Sequence, residues 1–143
     1  MRVLFDTNVI LDVLWASAPH ANPAIALMDH VARMELDALL CATSVTTILY
    51  LVEKASDAAA ARRHIATLLK IFDIAAVTRS VLADAVALRF KDYEDAVLHE
   101  SARHAGATAI VTRNSKDFAA AKLGLYQPAE LLKLLDAARE KRD

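Results

Sequence analysis

Short apolar runs alternate with longer stretches in which apolar residues recur every three to four positions. Arg2 to Phe5 reads as a first strand, a compact apolar run of the kind buried on both faces of a parallel sheet. Thr7 to Trp15 reads as a helix, and Asn22-Pro23 as an N-cap with proline at the first position of a second helix running to about Met34. Asp37 to Ala42 is a second strand. Either Thr43 or Ser44 caps a third helix, with Val45, Ile48, Leu49 and Val52 along one face. Ser56 caps a fourth helix to about Lys70, and Ile71 to Val77 is a third strand. Thr78 caps a fifth helix through Leu88, and Asp92 caps a sixth that stops at Gly106, a natural residue just past a helix end. Thr108 to Thr112 is a fourth strand, Asn114 opens a short helical turn, Leu125-Tyr126 is a brief last strand, and Pro128 starts a final helix.

Strands separated by helices pair in parallel through right-handed crossovers. The expected fold is therefore α/β, a three-layer α/β/α sandwich around a short central parallel sheet, with residues 1–143 as a single domain. In open sheets of this kind, ligands bind beyond the carboxyl ends of the strands, near the point where strand order reverses.

Composition narrows the function. A 56% hydrophobic fraction over 143 residues supports a real core and excludes disorder along the whole length. With 2 Gly and 3 Pro, a collagen-like chain is excluded and a turn-dense sandwich disfavoured. A net charge of −1 is wrong for a protein that coats nucleic acid, so a nucleic-acid substrate needs a local basic rim. The lone Cys41 has no intrachain partner and sits among apolar residues, as a reduced thiol in a cytoplasmic protein does. Val3-Leu4-Phe5 is cut off by Asp6, so no signal peptide is expected, and no apolar run approaches the ~20 residues of a membrane span.

The chemistry gathers in the acids. Asp6 follows the first strand immediately, Asn114 and Asp117 follow the fourth, and Asp92, Glu94 and Asp95 begin the sixth helix. The sheet rule places Asp6 and Asp117 at one edge, and a helix start pointing there adds Asp95. Carboxylates converging without a Lys or Arg between them repel one another, and the usual compensation is a hard divalent cation such as Mg²⁺. Such a site orients and activates water for attack on a phosphodiester. Simpler readings stand beside this one: Asp92 as a helix cap with Asp95 closing a capping box, Asp6 or Asp117 as turn residues. Thr7 and Asn8, next to Asp6, are suited to orienting its carboxylate.

Other chemistry is thin. His20, His30, His64, His99 and His104 lack zinc spacing. His99, four residues from Asp95, shares its helical face but reads more simply as a surface histidine. Two glycines cannot build a phosphate loop, and Ser44 and Ser101 lack the setting of a nucleophile elbow.

Three segments together resemble a known family. Val3-Leu4-Phe5-Asp6-Thr7-Asn8-Val9 is similar to the opening of PIN domains, Asp92-Tyr93-Glu94-Asp95-Ala96-Val97 to their central Asp-Ala motif, and Ile110 to Phe118 to their late Thr-Arg-Asn-x-x-Asp-Phe motif. Order and spacing agree over almost the full chain, and VapC-type toxins and their stand-alone relatives are the nearest look-alikes. The resemblance implies a Mg²⁺- or Mn²⁺-dependent ribonuclease, with a cognate antitoxin and a homodimer as expected partners. Asp6, Asp95 and Asp117 take the places of the family's acids as metal ligands and catalytic groups, Asn114 stands where many members have Asp and is expected, with Asp117, to complete the catalytic shell or position the water, and Thr112 stands at the hydroxyl position. Asn8 and Asp92 are supporting residues. Arg113 and Lys116, with Arg89 and Lys91 beside them in reserve, are candidate contacts to RNA phosphates.

One departure matters. Many PIN domains carry Glu six residues after a Ser like Ser44, and here that position is Tyr50. Glu53, about one turn further along, is the candidate replacement, with Asp92 and Glu94 as others. The leading reading is a metal-dependent endoribonuclease, the toxin of a toxin–antitoxin pair. The alternative is a weak or inactive PIN domain that binds RNA or protein. A haloacid-dehalogenase-like phosphatase also begins with Asp after strand one, but the second Asp its general acid requires is here Asn8.

Overall fold

A computed structural model describes residues 1–16, 18–118 and 121–142. Five strands, β1 (Arg2–Phe5), β2 (Asp37–Cys41), β3 (Asp73–Ala75), β4 (Ala109–Val111) and β5 (Gly124–Tyr126), pair entirely in parallel in the order β3-β2-β1-β4-β5. The helices are α1 (Thr7–Trp15), α2 (Ala21–Ala32), α3 (Ala42–Ala55), α4 (Ala58–Ile71), α5 (Arg79–Val86), α6 (Tyr93–His104) and α7 (Pro128–Arg142). A 3-10 turn, Ser115–Phe118, follows β4.

Alternation along the strands sorts side chains into two cores, which makes the three layers. Val3, Phe5, Ala38, Leu40, Ala109 and Val111 face one side and pack with α1, α2, α3, α4 and α7; Phe5 meets Phe72 edge-on at 5.2 Å. Leu4, Leu39, Cys41 and Ile110 face the other side, against α5 and α6. Because β1 is central and covered on both faces, Val3, Leu4 and Phe5 are all fully buried, which is why the strand reads as an unbroken apolar run. Cys41 is buried and free, as expected.

Strand order sets the position of any site. From β1 the chain moves outward through β2 to β3, then returns to the other side of β1 for β4 and β5. The reversal lies between β1 and β4, so their carboxyl ends flank the crevice where such sheets bind ligands.

Thr78 caps α5 by accepting the Val81 N–H at 3.2 Å, Asp92 caps α6 by accepting the Glu94 N–H at 2.9 Å, and Gly106 follows α6 at φ +80°. Other caps differ from expectation. The second helix starts at Ala21, so Asn22 lies inside it and its capping residue, His20, makes no side-chain bond. The third starts at Ala42 behind Cys41, which leaves the Ser44 hydroxyl free to accept a 2.8 Å bond from the Thr7 hydroxyl. Ser56 closes α3 by donating to the Val52 carbonyl, and Asp57 caps α4 by accepting the Ala60 N–H at 2.8 Å. The fifth helix ends at Val86; Ile71 belongs to the end of α4, which leaves β3 as Asp73–Ala75, and β4 is Ala109–Val111.

Candidate active site

Asp6 leaves β1 and caps α1 in the same step. Its carboxylate accepts the Thr7 N–H at 2.7 Å, the Thr112 hydroxyl at 2.7 Å and the Asn8 amide at 3.3 Å. Thr112, fully buried after β4, also accepts the Asn114 N–H at 3.0 Å, so one hydroxyl fixes both the acid and the start of the next loop. The Asp6 N–H bonds the Val111 carbonyl and the Thr112 N–H the Tyr126 carbonyl, each at 2.9 Å. The sheet ladder thus extends one residue past β1 and β4 and holds the acid rigidly.

Beyond this edge lies a cavity of about 510 Å³. Its wall includes Asp6, Asp95, Asp117, Asn114, Asp92 and Glu94. β1 supplies Asp6, the start of α6 supplies Asp92, Glu94 and Asp95, and the loop and 3-10 turn after β4 supply Asn114 and Asp117. The first turns of α3 contribute hydroxyl residues, Thr43, Ser44 and Thr47. Asp6 is 8% exposed, whereas Asp117 lies at the open side. Burial pushes the Asp6 carboxyl above its usual range, opposed by the Thr112 and Thr7 hydrogen bonds and reinforced by the charge of Asp117. Asp95 is pushed up to about 7, first by burial and then by the charges of Asp6, Asp92, Asp117 and Glu94. Asp95 thus shares one cavity with four other carboxylates, a natural place for a cation.

Glu53 is not part of the cavity. It is exposed, and at about 100° per residue it stands nearly opposite the cavity-lining Ser44 around α3. Tyr50 itself is 59% exposed, with the Lys54 ammonium 5.3 Å from its ring centre. Asp92 and Glu94 do line the cavity and are the surplus acids near it. Arg113 differs from expectation too: its guanidinium reaches back to Asp12, Nε to Oδ2 at 2.6 Å, rather than standing free at the rim. The geometry is a charge contact and not an aligned hydrogen bond, since both atoms lack a hydrogen-bond partner. Lys116 does stand at the rim, in a smaller cavity of about 170 Å³ shared with Arg89, Lys91 and three of the acids. His99 is wholly buried, not a surface residue; its Nε2 accepts the Lys122 N–H at 3.1 Å and its Nδ1 lies 3.0 Å from Glu100.

Sequence reasoning missed Asp12, the buried partner of Arg113. The available signal was its place one helical turn after Asn8, on the face toward β4. It also missed Tyr93, which lines the cavity beside Asp92.

The sequence profile of the PIN domain matches residues 2–116, four-fifths of the chain. The chain belongs to the PIN domain family. No curated protein matches it. Among solved structures, this PIN domain is similar to a chain of the VapBC2 complex of Rickettsia felis bound to promoter DNA, with 16% identity, TM-score 0.70, and coverage of 89% of this chain and 98% of that one. A toxin–antitoxin complex from Klebsiella pneumoniae matches at 24% identity and TM-score 0.67, covering 90% and 98%. VapC20 of Mycobacterium tuberculosis, described as a sarcin-ricin loop cleaving toxin, matches at 15% identity and TM-score 0.58, covering 76% and 86%. At these identities the likeness is one of fold.

Proposed function

We propose that this PIN domain is a metal-dependent endoribonuclease and the toxin of a toxin–antitoxin pair, with residues 1–143 acting as one unit. The observation that carries the reading is the convergence of Asp6, Asp95 and Asp117, from three separate elements, on one cavity at the sheet's reversal point. The donor set fits a hard divalent cation, Mg²⁺ or Mn²⁺: it is all oxygen, burial and the neighbouring acids together raise Asp95 to about 7, and Asp92 and Glu94 offset the acid absent at Tyr50. Among the described residues, the trio with ligand atoms mutually within 4.8 Å is Asp84, Glu100 and His104, on α5 and α6. Arg103 already neutralises that trio, at 3.0 Å from both acids, so it is an ion-pair network and not the proposed metal centre.

When bound, the ion would supply a polarised phosphodiester and an activated water. Asp6, Asp95 and Asp117 would hold it. Thr112, Thr7 and Asn8 fix the rotamer of Asp6, so its carboxylate is already oriented. Asn114, one turn before Asp117, offers a neutral donor and acceptor at the open side, suited to a phosphate oxygen or the attacking water. Lys116, with Arg89 and Lys91, offers the local positive charge that a protein of net charge −1 needs to hold RNA. Arg113 acts through Asp12, tying α1 to the loop after β4, and holds the site's shape rather than the strand.

The toxin role rests on the neighbours solved as toxin–antitoxin complexes, and on a surface that leaves Trp15, Ile25 and Leu69 exposed for an antitoxin or a second copy in a homodimer. We place the protein in the cytoplasm, where RNA is at hand and Cys41 stays reduced; no helix among the described residues is long and apolar enough to cross a membrane. Tyr50 also favours a second reading, a domain that binds RNA and cuts it slowly or not at all. Incubating a structured RNA with wild type, Asp6→Asn and Asp117→Asn in Mg²⁺, in Mn²⁺ and in chelator separates the two. Metal-dependent cleavage lost in both variants supports the nuclease, whereas RNA binding without cleavage in any metal supports the second reading.

A further inference from the structure

Two depressions adjoin the acidic cavity, each sharing different lining residues with it. One is the small basic cavity of Arg89, Lys91 and Lys116, which shares Asp92, Asp95 and Asp117 with it. The other is a groove of about 480 Å³ along α5, lined by Val77, Arg79, Leu82, Val86 and Tyr93 among others, which shares Leu82 and Tyr93 with it. Tyr93 is the hinge between cavity and groove. It is the first residue of α6, directly after the Asp92 cap, and its hydroxyl donates to the Leu82 carbonyl at 2.9 Å. That bond pins an aromatic ring across the α5–α6 junction while leaving it 47% exposed. Leu82 is 40% and Val86 72% exposed beside it. An aromatic ring held in place, half open to water and two residues from an acid of the candidate site, is unexplained by packing alone.

We infer that Tyr93, with Leu82 and Val86, forms a nucleobase subsite in which an unpaired base next to the scissile phosphate stacks, an inference that rests on the RNA reading above. The carboxylates repel free anions, but the face of a base is neutral and apolar, and stacking tolerates any sequence. The strand then runs from its phosphates on Arg89, Lys91 and Lys116, across the acids, to a base on Tyr93, with the exposed Arg79 beside it. A paired base cannot turn its face to the ring without leaving its stack, so the subsite selects single-stranded or looped RNA. A second copy of the chain is the competing occupant. Three exposed apolar side chains fall well short of the ~800 Å² per partner that a stable interface buries, and the groove's continuity with the acids favours the strand.

The test is fluorescence anisotropy on a short single-stranded RNA, in chelator to prevent cleavage, with wild type, Tyr93→Phe, Tyr93→Leu and Tyr93→Ala. Loss of the stack should weaken binding about tenfold in Tyr93→Ala and in Tyr93→Leu, which keeps apolar bulk without a π face, while Tyr93→Phe stays within about threefold of wild type. An oligonucleotide abasic at one position should bind wild type and Tyr93→Leu equally, and a blunt duplex should gain nothing from Tyr93. Equal affinity of wild type and Tyr93→Leu for the single strand overturns the subsite alone. So does a Tyr93→Leu variant that changes oligomeric state by sedimentation without changing RNA affinity, which gives the groove to a second copy. Absence of any RNA binding by wild type, in chelator or in Ca²⁺, overturns the RNA reading and the subsite with it.

Discussion

Replacing Asp95 with Asn should make the metal-free protein more stable at neutral pH, and the gain should depend on pH in a defined direction. Asp95 is raised from 3.8 to about 7 by burial and by four neighbouring acids. Below 3.8 the group is protonated in both folded and unfolded chains and costs nothing. As pH rises past 3.8 the unfolded chain releases the proton and the folded one does not, so a penalty grows and levels off above about 7. Fully converted, the shift corresponds to an upper bound of about 4 kcal/mol. Water enters the open side of the cavity and screens the charges, so about 1–2 kcal/mol is expected. Urea unfolding of wild type and Asp95→Asn in chelator, at pH 4, 6 and 8, reads this directly. The variant should match wild type at pH 4 and exceed it by about 1–2 kcal/mol at pH 8. Saturating Mn²⁺ should then stabilise wild type more than the variant, because only the native site binds the ion. A variant that is less stable than wild type at pH 8, or a gap that does not change with pH, would show that Asp95 is not electrostatically strained and that the cavity is not built around mutual repulsion.

Other expectations follow from single contacts. Arg113→Ala leaves Asp12 buried without its counter-charge and should cost about 2–3 kcal/mol in urea unfolding; if the loss is under 0.5 kcal/mol, the pair holds nothing together. Thr112→Val removes the hydroxyl that bonds both Asp6 and the Asn114 N–H, and should cost about 1–2 kcal/mol and raise the Asp6 pKa further, as read by carboxyl NMR titration. Lys116→Ala should weaken RNA binding and reduce the salt slope by about 0.7, one phosphate contact, without altering the thermal midpoint; an unchanged slope would move the strand off this rim.

Much of the fold was legible because the strands carry a periodicity that burial enforces. β1 needed no context: three consecutive residues buried on both faces of a parallel sheet must all be apolar, and Asp6 breaks the run where the strand ends. Asp92, Thr78 and Gly106 were readable as helix ends because each acts on backbone within three residues of itself. Ser44 and Asn22 were not, because a residue that can cap is also one that can do something else. Ser44 takes the Thr7 hydroxyl 37 positions away, which no local pattern records. The acids could be grouped from strand ends and the reversal rule, but which of them share one cavity depends on where α6 points. Glu53 fell outside the cavity because it was measured from Tyr50, whereas the face of α3 that meets the cavity is that of Thr43, Ser44 and Thr47, and Glu53 stands nearly opposite Ser44. His99 was misread as a surface residue because its burial depends on a partner outside its helix, the Lys122 N–H, and the contact between Arg113 and Asp12 is likewise one that no local pattern records.

Titration calorimetry of Mn²⁺ into metal-free protein tests the central claim most directly, with wild type, Asp6→Asn and Glu53→Gln compared at one pH. If the cavity acids form the metal centre, wild type and Glu53→Gln bind with the same affinity and Asp6→Asn loses saturable binding. Equal affinity in wild type and Asp6→Asn would contradict it, and would leave the converging carboxylates at the end of β1 without the role assigned to them.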